Sequence, residues 1–190
     1  MKNGLRLLVA VLVILSVALL GCQNKKEIKI GFITEITGVE AYIGQTSIPA
    51  LQDYIDEINK AGGINGYTLK LVSYDTRSEA TDAVAVTKRM IEQDKVVAVI
   101  GPSWSAAAIP IAEIANANKV PIIATTASNV NVTVTEKGVL NPYMFRVCFI
   151  DPYQGYALAE YAFKHLGKRK VAFFTHGTSP YKVGVQQFID

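Results

Sequence analysis

Cysteine is nearly absent from this chain: two in 190 residues, Cys22 and Cys148. A framework of disulfides is therefore excluded as the source of stability. Histidine is equally scarce, with only His165 and His176. Neither has a cysteine or carboxylate at ligand spacing, so both read as surface residues and no metal site is expected. Several chemical signatures are also missing. No Gly-x-Gly-x-x-Gly follows the first strand, and there is no Walker sequence, Gly-x-Ser-x-Gly elbow or His-Glu-x-x-His. Dinucleotide binding and the common hydrolase chemistries have no support, and no cofactor is expected. An excess of one charge is lacking too. The 19 Lys and Arg side chains face 16 Asp and Glu, and setting aside Lys2 and Arg6 nearly closes the gap. With no basic stripe, nucleic acid is not an expected partner. Tandem repeats, low-complexity segments and an obvious interdomain linker are absent as well.

One apolar run is present, and it is short. Leu7 to Leu20 is apolar apart from Ser16 and follows the positive pair Lys2 and Arg6. It suits a secretory leader better than a membrane span. Leu19-Leu20-Gly21-Cys22 then resembles the lipobox of bacterial lipoproteins. Small Gly21 stands at the cleavage point and the Cys22 thiol is the group to be acylated. The expectation is a leader over residues 1–21, a lipid on Cys22, and a polar tether over residues 22–27. The protein would then be extracytoplasmic and held to the membrane by lipid. An ordinary leader with an incidental cysteine is the alternative. With Cys22 lipidated, Cys148 has no intrachain partner, and its apolar surroundings from Met144 to Ile150 suggest a buried structural thiol.

From residue 28 the pattern alternates. Strands are expected at Ile28–Thr34, Thr68–Tyr74, Val96–Ile100 and Pro121–Ala124. Helices are expected at Ala41–Ala61, Glu79–Gln93 and Ser105–Asn118. Leu51, Ile55 and Ile58 share one face of the first helix, in which Pro49 must sit early or make a kink. Ala83, Val86, Thr87, Met90 and Ile91 form the inner face of the second. Gly62-Gly63 ends the first helix and Asn65-Gly66 makes a turn. Strands alternating with helices imply right-handed crossovers and a parallel sheet flanked by helices, an α/β fold. Tyr143–Phe149 reads as a strand leaving this unit. Pro152–Leu166 as a helix, Lys170–Thr175 as a strand and Lys182–Asp190 as a further helix then begin a second lobe, with the boundary near residues 148–151. The chain stops in this last helix, as a piece of a longer protein would.

In an open parallel sheet, ligands bind past the carboxyl ends of the strands. Three such ends are polar and small: Thr34 to Gly38, Gly101 to Ser105, and Thr125 to Asn129. The segment after Gly101 enters a helix, whose first N–H groups can take a carboxylate. Ser103 and Ser105 add hydroxyls, Ala127 and Ser128 offer backbone and hydroxyl groups, and Trp104 and Tyr42 can form an apolar wall. Residues near 37, 105 and 127 would thus meet at one rim. Two plainer roles stay open: Ser105 as a helix cap and Trp104 as core. Asp75, at a strand end, reads as a turn former.

The segment Asn59 to Asp75, with its Ala-Gly-Gly-Ile-Asn-Gly turn, resembles the branched-chain amino-acid binding proteins, the solute receptors of ABC importers. Gly101-Pro102-x-x-Ser105, Ala127-Ser128, Thr37-Gly38 and Gly44 are similar to that family's motifs. Tyr181, after Thr178-Ser179-Pro180, resembles the aromatic that the family's second lobe turns to its ligand. Val39 departs from the proline that is common there. The resemblance implies a two-lobed type I periplasmic binding protein of the Venus-flytrap kind. Its first lobe would cover residues 28–149 and the start of the second residues 150–190. It also implies a monomer, not an enzyme, that captures a small amino acid and hands it to an ABC permease. The ligand-binding module of a sensory receptor, and a binding protein for amides or aromatic acids, are the alternatives.

Overall fold

The structure is a computed structural model and describes residues 26–172. Five strands form one parallel sheet: β1 (Glu27–Thr34), β2 (Thr68–Asp75), β3 (Ala98–Ile100), β4 (Ile122–Ala124) and β5 (Met144–Arg146). Their order across the sheet is β2-β1-β3-β4-β5. β1 and β2 pair along their whole length, from Glu27 beside Thr68 to Thr34 beside Asp75. The helices between them are α1 (Ala41–Lys60), α2 (Ala80–Arg89) and α3 (Ser105–Asn118). α4 (Asp151–Glu160) follows β5. α2 and α4 each run on into a wider π-helical turn, Met90–Asp94 and Tyr161–His165.

The main core lies between one face of the sheet and the pair α2 and α3. Ile33, Val99, Ile122 and Met144 meet Ala83, Met90, Ala108, Ile111 and Ala115 there. The alanines let α3 lie close to the sheet, because a helix approaches as near as its contact side chains allow. Neighbouring residues of a strand point to opposite faces. Phe32 therefore looks the other way, into a hollow shared with Ile43, Leu51 and Tyr54 of α1.

Glycines close α1 as the pattern predicts. Gly62 and Gly63 both take positive φ, and the Gly63 N–H reaches back to Ile58 O at 2.9 Å. Asn65 and Gly66 turn the chain at positive φ between Ile64 and Tyr67, whose backbones exchange two hydrogen bonds of 2.9 Å. Asn59 then grips the edge strand: its side chain donates to Leu69 O at 2.8 Å and accepts from Leu69 N at 2.7 Å. Pro49 lies well inside α1 rather than at its start.

Three expectations change. Tyr143–Phe149 does not leave the first unit, because Met144–Arg146 pairs parallel with β4 as the sheet's edge strand. Residues 170–172 form no strand and are exposed, since no described strand lies beside them to supply a ladder; 173–175 lie outside the described residues. Cys148, a free thiol among the described residues, is half-buried rather than buried, because it falls past the end of β5 between the exposed Val147 and Phe149. The leader, Cys22, Tyr181, His176 and the helix expected at Lys182–Asp190 also lie outside the described residues.

Candidate functional site

β1 and β3 are neighbours in the sheet, yet the chain leaves β1 toward β2 on one side and leaves β3 toward β4 on the other. At such a switch point the loops part and leave a crevice. A cleft of about 550 Å³ opens there. After β1 it is lined by Glu40, Tyr42 and Ile43. Ser103, Trp104, Ser105, Ala106 and Ile109 line it after β3. Thr126, Ser128 and Asn129 follow β4, and Asp151 closes the wall at the start of α4.

Gly101 makes the turn into α3 possible. Its φ is +91°, and an added Cβ would stand 2.0 Å from Ile33 O. Gly44, in the first turn of α1, lets that helix lie close to the first loop. It packs against the backbone of Glu35, and its N–H donates to Glu35 O at 3.0 Å. Past Gly101, Trp104 is the last extended residue before α3; it is 39 % exposed and lines the cleft. That excludes Trp104 from the core. Its carbonyl accepts the N–H groups of Ala107 and Ala108 at 3.1 and 2.9 Å. Ser105 and Ala106, whose N–H groups start the helix, border the cleft. The positive end of the helix dipole therefore faces the cavity.

Ser105 is not a cap. It is the first helical residue, no side chain caps α3, and its hydroxyl accepts from Asn129 N at 3.2 Å. That bond joins the loops after β3 and β4. Ser103 is turned inward: its hydroxyl donates to Glu35 Oε2 at 2.6 Å, and its carbonyl accepts from Thr126 Oγ1 at 2.7 Å. Ala127 is only 1 % exposed and joins the core instead of the cleft wall. Its carbonyl faces Arg146, 3.1 Å from Nη1.

The loop after β1 is tied to β2 by Asp75. Oδ1 accepts from Ile36 N at 2.9 Å, Thr37 N at 3.1 Å and Arg77 N at 2.8 Å, and Oδ2 from Thr37 Oγ1 at 2.6 Å. Burial works against the charged form. The Thr37 hydroxyl bond and the three N–H bonds outweigh it and hold the carboxyl below its ordinary value. The same bonds draw Thr37 and Gly38 toward Arg77 and Ser78 and out of the cleft wall. The first loop thus reaches the cleft through Glu40 and Tyr42, not through Thr37. Sequence reasoning missed Glu40, Asp151 and Arg146. Arg146 carried a signal, being the one charged residue in the apolar stretch Met144 to Ile150. Among the described residues, no group of three or more His, Cys, Asp or Glu could hold a metal ion.

Parallel strands, a switch-point crevice and a helix start facing it are features that many binding folds share; comparison with known sequences decides among them. The periplasmic binding protein family matches residues 27–188. This chain belongs to that family. An amino acid binding protein of Pseudomonas aeruginosa is 36% identical over 174 residues, which are 92% of this chain and 45% of that protein. Among solved structures, the branched-chain amino acid transporter substrate binding protein LivJ of Streptococcus pneumoniae, in complex with isoleucine, is 35% identical. It superposes with a TM-score of 0.77 over 86% of this chain and 46% of its own. The leucine binding protein LivK of Thermotoga maritima is 38% identical, with a TM-score of 0.69 over 85% of this chain and 44% of its own. The chain spans somewhat less than half the length of these proteins. Its sheet and flanking helices have the type I periplasmic binding fold.

Proposed function

We propose that this periplasmic binding protein captures a small amino acid, of the branched-chain type, outside the cytoplasmic membrane and delivers it to an ABC permease. The observation that carries this is the composition of the switch-point cleft. The start of α3 and the Ser128 loop bring N–H and hydroxyl groups to the same cavity as Trp104, Ile43 and Ile109. A carboxylate docks on the first set and an aliphatic side chain lies on the second, which is the usual construction of a small-molecule site. The likeness to a protein bound to isoleucine supports the same ligand class here.

In this reading Ser105, Ser128, Trp104 and Tyr42 touch the ligand. Ala127 and Ser103 hold the two loops in place. Tyr181 approaches from a second lobe that starts near residue 150, and residues 28–149 form the first lobe. A ligand gripped by both lobes favours their closure, and the permease reads the closed form. The receptor works as a monomer, tethered by a lipid on Cys22. A thermal-shift screen of the purified protein tests the ligand class. L-Leucine, L-isoleucine or L-valine well above its dissociation constant raises the melting temperature by mass action. Silence with all three, and a response to an aromatic acid or an amide instead, would overturn it.

A further inference from the structure

Arg146, the last residue of β5, spends its guanidinium on the loop after β4. Nη1 donates to Ala127 O at 3.1 Å and Asn129 O at 2.7 Å. Nη2 donates to Val130 O at 3.1 Å and to Thr133 Oγ1 at 2.8 Å. The peptide between the first two acceptors belongs to Ser128, which lines the cleft. The Ser128 carbonyl is taken as well, by Asp151 N at 3.1 Å. Four successive carbonyls, from Ala127 to Val130, are therefore already occupied by hydrogen bonds within the protein. A carbonyl oxygen carries partial negative charge, so a loop that receives a carboxylate must turn these groups aside and show N–H and hydroxyl groups.

All four acceptors of Arg146 are neutral, and it belongs to none of the ion pairs among the described residues. Its charge stays uncompensated at contact range, one peptide behind the cleft wall. Burial lowers its pKa, while Cys148 and Asp151 oppose that shift. A half-buried cation is screened less by solvent than an exposed one, so its field reaches the cavity. Asp151, on the cleft wall, offsets part of that field.

We propose that Arg146 is a positioning residue that orders the Ala127–Val130 loop and biases the cleft toward ligands bearing a carboxylate. The inference rests on the reading of the cleft as an amino-acid site.

The test uses the purified protein and its Arg146→Lys and Arg146→Gln variants, checked for folding by circular dichroism. Affinities are measured for L-leucine, L-isoleucine and L-valine by calorimetry, and for their carboxamides by competition. Arg146→Gln weakens binding of the acids by at least about tenfold, the scale of one charge-assisted hydrogen bond. It weakens binding of the amides less, so the preference for acid over amide falls. Arg146→Lys loses affinity with its fork geometry but keeps the preference, because it keeps the charge. An equal loss for acid and amide in Arg146→Gln, or no loss, overturns the proposal and leaves the amino-acid reading standing. If Arg146→Gln does not fold, Arg146→Lys decides: a retained preference supports the proposal and a lost one overturns it. A wild-type protein that binds none of the three acids removes both readings.

Discussion

The Ser103 hydroxyl donates to Glu35 Oε2 at 2.6 Å, joining positions 68 residues apart beneath the cleft. Glu35 is fully buried, and its other oxygen, Oε1, has no hydrogen-bond partner among the described residues. Among the described residues, Ser103 is thus the one side chain that hydrogen-bonds this buried carboxyl group. Removing the donor strands its partner, which costs more than an ordinary hydrogen bond. Ser103→Ala is expected to lower unfolding free energy by about 1–3 kcal/mol in urea titrations. Glu35→Gln combined with Ser103→Ala should cost less than the two single changes together. Strict additivity would show that the two groups do not interact.

Asp75 holds the first loop through three hydrogen bonds, from Ile36 N, Thr37 N and Thr37 Oγ1, and takes a fourth from Arg77 N; its folded pKa lies below the ordinary value of 3.8. A depressed carboxylate pKa contributes stability that is complete above the unfolded value. That contribution is lost as pH falls through the folded one. Asp75→Ala should therefore destabilise by about 2–3 kcal/mol at neutral pH. The gap from wild type should narrow when urea titrations are repeated below pH 3.8. A gap that stays constant into acid would show that the carboxylate charge plays no part.

Gly101 and Gly62 separate two costs of an added methyl. Both have positive φ, but a Cβ on Gly62 meets nothing within 4 Å, while one on Gly101 meets Ile33 O at 2.0 Å. Gly62→Ala should cost about 1–2 kcal/mol, the conformational part alone. Gly101→Ala adds a backbone collision and should cost at least about 3 kcal/mol, or prevent folding. Equal melting temperatures for the two variants would contradict this.

Helices were legible in the sequence because their cues are local. α1 and α3 start and end within a residue of the pattern's limits, since Gly62-Gly63 and the polar run after Gly101 mark them. The sheet was legible only as a class. β5 looked like a departing strand because nothing in Met144–Arg146 reveals that β4 lies beside it. The three loops of the cleft were legible from their position after strands. Which side chain points where was not. Ser103 turns inward because Glu35 waits there, and Thr37 turns aside because Asp75 holds it, and both partners are distant in sequence. Arg146 escaped notice for the same reason: three of its four acceptors are backbone carbonyls 16 to 19 residues away, which carry no sequence signal.

The central claim is that the start of α3 receives the ligand, and calorimetry on Ser105→Ala tests it most directly. Ser105 lines the cleft and its hydroxyl makes one hydrogen bond among the described residues, accepting from Asn129 N, so the variant should fold. Titrated with L-leucine, L-isoleucine or L-valine, it should bind more weakly than wild type by about 1–3 kcal/mol, the range for a hydrogen bond to a charged group. Affinity equal to wild type in a folded Ser105→Ala protein would place the ligand elsewhere.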